Sequence, residues 1–177
     1  MERPFAAGPA GASRSNRKAV GMEVKLVDGD LLRQPVDVIV NSWNRNFIPY
    51  WLLIPQGVSG AIRRQGGAEP FREVGKHGLL PVGAAVLTGA GRLPFKGIIH
   101  VAGLNWWWTA SRSSVQLSVR NALRVFVESG FESIAFPLIG AGTGGMSPSQ
   151  VEELMLAEIT GCSEPGQVLL VRYQKGV

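Results

Sequence analysis

A chain of 177 residues with 45% apolar and 18% charged side chains is long enough for one buried core, and its composition is that of an ordinary globular chain. The single cysteine, Cys162, excludes a disulfide framework, two histidines beside it argue against a protein-held metal site, and no apolar run approaches the ~20 residues a membrane helix needs. The net charge of +5 sits largely near the start, where Arg3, Arg14, Arg17 and Lys18 face only Glu2.

Residues 1–21 are rich in Ala, Gly, Ser and Pro and lack the apolar stretch of a secretory signal, so they read as a disordered basic extension ahead of one folded domain over 22–177. The expected location is cytoplasmic, with no membrane association. Such an extension also admits nucleic-acid binding as a separate function class, recognisable by a steep loss of affinity with salt.

From residue 22 the pattern alternates. Residues 23–27 read as a strand closed by Asp28-Gly29-Asp30, and residues 36–40 as an all-apolar strand suited to the middle of a sheet covered on both faces. A short helix is expected over 58–65, ended by Gly66-Gly67. Residues 84–88 and 97–101 read as a hairpin or a neighbouring pair of strands. Apolar positions 115, 119, 122, 123, 126 and 127 form a helical stripe over 115–129. A strand over 133–139, a helix over 147–159 and a last strand over 167–173 complete a mixed α/β chain, expected to fold in three α/β/α layers with ligands at the carboxyl ends of the strands.

The segment FPLIGAGTGGMS, residues 136–147, carries the chemistry. It places glycines at 140, 142, 144 and 145 between a strand end and a helix start. Such a loop lets the backbone approach a phosphate and turns free N–H groups toward its charge. The run satisfies GxGxxG, but the final strand ends Arg172-Tyr173-Gln174 with no acidic residue for a ribose, which argues against a Rossmann dinucleotide site. A Walker A loop is excluded by the missing Gly-Lys-Ser/Thr ending.

Four segments in order, GDLLRQPVDVIVNSWN, QGVSGAIRRQGG, GAAVLTGAGRLPFKGIIHVAG and SIAFPLIGAGTGGMSPSQVEEL, resemble the macrodomain family. The resemblance runs from about residue 22 to 173. It implies a three-layer α/β/α fold with a mixed central sheet, ADP-ribose or a derivative as ligand, no cofactor and no metal. It also implies that Asp30 accepts from the adenine amino group beside the Leu31 backbone, and that Tyr173 packs on the adenine. Gly57 and Val58, with Gly140, Ala141, Gly142, Thr143 and Gly144, would hold the diphosphate, with Ser59 beside them. Asn44 would contact the distal ribose and is the candidate catalytic residue, while Asn41 would brace the strand end by bridging two backbone segments. Read from the residues alone, Asp30 also admits the reading of a turn or helix-cap aspartate, and an isolated tyrosine such as Tyr173 is more often a core-edge ring.

The chain departs from the family pattern in ways that bear on chemistry. The hydrolytic branch carries an aspartate after the Gly-Val pair to activate water, and here that position is Ser59, which lacks a sequence neighbour to act as its base. Ser59 then reads as a helix-start residue. IPQ replaces the glycine run before Gly57, and Gly144 stands where the family often has a tyrosine. All five tryptophans fall in SWNRNFIPYWLLIPQ and LNWWWTAS, readable as a lid over the distal ribose, as a partner surface, or as two segments packed on each other. Three functions therefore stay open: an ADP-ribosyl ester or O-acetyl-ADP-ribose hydrolase, a non-catalytic reader of ADP-ribosylated proteins, and nucleic-acid binding through the extension.

Overall fold

The computed structural model describes residues 21–44, 57–105 and 107–173, with Asn44 described in its backbone only. The strands are β1 (Met22–Asp28), β2 (Val38–Asn44), β3 (Ala85–Thr88), β4 (Gly97–Leu104), β5 (Ser133–Pro137) and β6 (Gly166–Arg172). The helices are α1 (Gly57–Gly66), α2 (Glu69–Gly75), α3 (Arg112–Glu128) and α4 (Pro148–Thr160), with a single 3-10 turn at Leu31–Arg33.

The strands form one sheet in the order β1-β6-β5-β2-β4-β3. All neighbouring pairs are parallel except β3 with β4. Parallel strands joined by helical crossovers are covered on both faces, so their sequences run apolar without alternation. β4 accordingly is buried along its whole length. Val38 and Val40 turn to a core shared with Val119 and Phe126 of α3 and Met155 of α4. Ile39, between them, turns to the opposite core with Ile62 of α1 and Phe71 of α2. This is the mixed-sheet, three-layer α/β/α architecture expected from the sequence.

The differences have local causes. β2 starts at Val38 rather than at 36 and continues through Asn41 and Ser42 to Asn44. Its polar residues end the apolar run but not the pairing, because Asn41 stays in register with His100 and Ser42 with Val101. Helix α2 spans only EPFREVG, too short to show a stripe, and buries Phe71 and Val74. β5 stops at Pro137, which cannot donate to a ladder.

At the amino ends of the central strands, Asp37 accepts from Lys96 Nζ at 2.7 Å and from the Glu132 backbone N–H at 2.9 Å. Its own N–H donates to Ser133 Oγ at 2.9 Å. Asp37, Lys96 and Glu132 immediately precede β2, β4 and β5, so one carboxylate ties three strand entrances together. The hydrogen bond from Lys96 holds that carboxyl below the usual carboxylate range. The opposite, carboxyl ends of the strands are left to frame a pocket. Among the described residues no helix is long and apolar enough to cross a membrane. Residues 1–20, the bulk of the basic extension, lie outside the described residues.

Candidate functional site

A cavity of about 1200 Å³ opens across the carboxyl ends of the sheet. Every expected site residue except Asn44 lines it: Asp30 and Leu31 after β1, residues 57–59 at the start of α1, residues 140–144 after β5, and Tyr173 after β6. Asn44 is the last residue of β2, and its side chain lies outside the described residues.

The glycine loop is held open by its own backbone. Met146 N–H donates to Gly140 O at 3.2 Å, and Gly145 N–H to Gly142 O at 3.2 Å. Gly140 adopts φ +93°, and a Cβ there would stand 2.6 Å from Ala110 Cβ. At Gly144 a Cβ would meet Gly140 O at 2.6 Å. Gly142 differs from both: a Cβ there meets no protein atom within 4 Å, so this glycine faces the cavity. Gly57 opens α1 at φ +56° and brings the amino end of a ten-residue helix to the opposite wall. Two sets of backbone N–H groups thus border one space, an arrangement suited to a bridging anion.

At the β1–β6 end, Asp30 Oδ1 accepts from the Leu32 N–H at 2.9 Å and caps the 3-10 turn. The cap reading is therefore realised, and it uses one carboxylate oxygen only. The other, Oδ2, lies 3.9 Å from the exposed Arg33 guanidinium, too weak a pairing to consume it. Tyr173 is 70% exposed beside it, a ring at the cavity's edge rather than in the core. Arg172 adds a feature that sequence reasoning missed. Its guanidinium grips Glu152 of α4 through two bonds of 2.6 and 2.8 Å, and both residues line the cavity. Those bonds hold the Glu152 carboxyl below its ordinary range. The sequence spacing gave no sign of this pair, because twenty residues and a crossover separate the partners.

At the β2–β4 end, Ser59 sits in the first turn of α1, but its hydroxyl turns to the sheet. It donates to Asn41 Oδ1 at 2.7 Å, with Ser42 O at 3.4 Å. Asn41 is fully buried, and its Nδ2 stands 3.1 Å from His100 Nδ1. His100 Nε2 stands 3.0 Å from Thr88 Oγ1, which donates to Gly89 O at 3.0 Å. Among the described residues, Asn41 thus links two side chains, Ser59 and His100, where two backbone segments were expected. Burial pushes the His100 pKa down to about 3, so the ring is neutral.

The tryptophans divide. Trp43 lies within β2 and is buried, with its ring 5.3 Å from Phe71 and 6.0 Å from His100. Trp108 lines the cavity at φ +62°. Its turn is fixed by Asn105, whose Oδ1 accepts from the N–H groups of Trp107 and Thr109 at 2.9 and 3.1 Å. The same segment joins the glycine loop through Ala110 N–H to Gly144 O at 3.0 Å. A strained aromatic at a cavity wall is backbone strain held where a ligand would sit. Trp51 and Trp106 lie outside the described residues.

A family model described as the Macro domain matches residues 40–155. A macro domain-containing protein of Streptomyces griseus is 42% identical over 134 residues, 72% of this chain and 73% of that protein. An O-acetyl-ADP-ribose deacetylase of Citrobacter rodentium is 32% identical over 163 residues, 86% of this chain and 89% of the enzyme. Among solved structures, the Oceanobacillus iheyensis macrodomain with ADP aligns at a TM-score of 0.74 and 27% identity, over 86% of this chain and 84% of that one.

Proposed function

Because the chain belongs to the macro domain family, we propose that its cavity binds ADP-ribose or a close derivative, adenine over β1 and β6 and distal ribose over β2 and β4. The observation that carries this reading is the order of chemistry across the strand ends. A carboxylate with a free oxygen, Asp30, stands at one end and the Ser59 hydroxyl, in the first turn of α1, at the other, with the N–H-rich glycine loop between them. From β1 to β4 is four strand spacings, about 19 Å at ~4.8 Å each, the span of an extended nucleoside diphosphate with a second sugar. Asp30 Oδ2 then accepts from the adenine amino group, Tyr173 covers the ring, and Gly142 gives the diphosphate room. Asn44 contributes from the end of β2.

Calorimetric titration with ADP-ribose, ADP, AMP and NAD tests the reading. ADP-ribose should bind tightest and AMP weakest, since AMP leaves the far end empty. Equal affinity for AMP and ADP-ribose, or binding of neither, contradicts it.

A finer reading, hydrolysis of an acyl ester or an ADP-ribosyl ester on the distal ribose, draws on the 32% identical deacetylase. No carboxylate stands at position 59 to serve as base, so turnover would rest on positioning of water by Ser59 and Asn44. Release of free ADP-ribose from O-acetyl-ADP-ribose and from glutamate-linked ADP-ribosyl protein measures it directly. Binding without release on either substrate supports the alternative, a reader of ADP-ribosylated protein, for which Trp107, 84% exposed, offers a contact beside the cavity.

A further inference from the structure

The hydrogen bonds running inward from Ser59 form one self-consistent chain of donors and acceptors. Gly89 O is a carbonyl and can only accept, so the Thr88 hydroxyl spends its proton there. Thr88 Oγ1 must then accept from His100 Nε2–H. The ring is neutral, because burial strongly disfavours an imidazolium that has no carboxylate partner among the described residues. A neutral ring carrying its proton on Nε2 leaves Nδ1 as an acceptor, and this orients the Asn41 amide with its NH₂ toward His100 and its oxygen toward Ser59. Among the described residues, the two groups within reach of Ser59 Oγ, the Asn41 oxygen and Ser42 O, are both acceptors. Whichever takes the proton, Ser59 shows only lone pairs to the cavity.

An acceptor-only oxygen repels phosphate oxygens and can bind only a group that donates. We propose that Ser59 is a specificity-determining residue whose Oγ accepts a hydrogen bond from a hydroxyl of the distal ribose, and that Asn41, His100 and Thr88 are positioning residues that hold it as an acceptor. This rests on the ADP-ribose reading and adds to it a reason for preferring a ligand with a second sugar over a bare nucleoside diphosphate. The neighbouring N–H groups at the α1 start remain for the anion, so donor and acceptor sites stand side by side at the first helical turn.

The test compares ADP-ribose with ADP, which lacks the distal sugar, on the parent, Ser59→Ala and Ser59→Thr. Ser59→Ala should weaken ADP-ribose by about five- to tenfold, the usual worth of one such bond, and leave ADP within about twofold. Ser59→Thr, which keeps the hydroxyl, should restore the preference. Nitrogen NMR of His100 in the unliganded parent should show the proton on Nε2 at neutral pH. An Nδ1-protonated or charged ring overturns the proposal, as does a Ser59→Ala variant that weakens both ligands equally or neither. If the parent binds neither nucleotide, the ADP-ribose reading itself fails and takes this inference with it. If the parent binds ADP-ribose and Ser59→Ala matches it, the inference alone fails.

Discussion

Ser59 Oγ donates to Asn41 Oδ1 across 2.7 Å, joining the first turn of α1 to a fully buried side chain in the middle of the sheet. The bond fixes how the cavity wall formed by α1 sits on β2. Beyond Asn41 the chain continues through His100 to Thr88, so a polar line crosses a layer otherwise filled by Ile39, Ile98 and Phe71.

Thr88→Val should show what that line contributes to stability. Valine matches the shape of threonine but leaves the fully buried His100 Nε2–H unpaired. The expected loss is about 1–3 kcal/mol, read from urea unfolding of the variant against the parent. A change inside measurement error would mean that water or a relaxed ring replaces the bond.

Asp30 has two duties that separate by substitution. Asp30→Ala removes both the cap on Leu32 N–H and the free oxygen in the cavity, and should cost ~1 kcal/mol of stability as well as ADP-ribose affinity. Asp30→Ser keeps a cap while losing the second oxygen. It should unfold at about the parent's temperature yet bind ADP-ribose at least fivefold more weakly, within the worth of an acceptor lost from a buried donor. Full affinity in the folded serine variant would remove Asp30 from the adenine site.

The glycine loop offers a matched pair. Gly142→Ala places a methyl in open cavity and should leave folding intact while lowering ADP-ribose affinity by an order of magnitude or more. Gly144→Ala drives a methyl to 2.6 Å from Gly140 O and should destabilise the fold by roughly 1–3 kcal/mol. Thermal melts and titrations on the two variants should therefore fall in opposite order. A Gly142→Ala protein that is folded and binds like the parent would show that no phosphate lies against the loop.

Acid sensitivity should trace to Asp37. Its folded pKa lies below the unfolded value, so the stability it contributes is present above the ordinary carboxylate range and is lost as pH falls through the folded pKa. Asp37→Asn should flatten the acid limb of the stability profile between about pH 5 and pH 2. Lys96→Ala should flatten it less, because the backbone bond from Glu132 remains. An unchanged acid limb in Asp37→Asn would place the sensitivity elsewhere, with Glu152, whose carboxyl is also held low by Arg172, the next to examine.

The sheet strands and the long helices were legible because buried parallel strands and amphipathic helices leave apolar runs and stripes, as residues 97–101 and 115–129 do. The glycine loop was legible because backbone access to an anion demands glycine between strand and helix. The Ser59–Asn41–His100–Thr88 line was not, because its members come from α1, β2, β4 and β3 and meet only when the sheet orders them. Ser59 read as a helix-start residue for want of a nearby base, and the residue that fixes its role lies across the fold. The one available signal was three polar residues, Asn41, Thr88 and His100, each set in or at the end of an apolar strand, since buried polar groups need partners. Trp43 was equally hidden: it lies beyond the apolar run of residues 36–40, yet backbone pairing with β4 keeps it in the strand and in the core.

The most direct measurement is an amide NMR titration of the isotopically labelled chain with ADP-ribose and, separately, with AMP. ADP-ribose should shift signals at all three stations: Asp30 to Leu32, Gly57 to Ser59, and Gly140 to Gly144. AMP should shift the Asp30 station and leave Ser59 and Trp108 in place. Shifts confined to the α3–α4 groove around Arg124 and Cys162, or AMP and ADP-ribose perturbing the same residues equally, would contradict an ADP-ribose site laid across the strand ends.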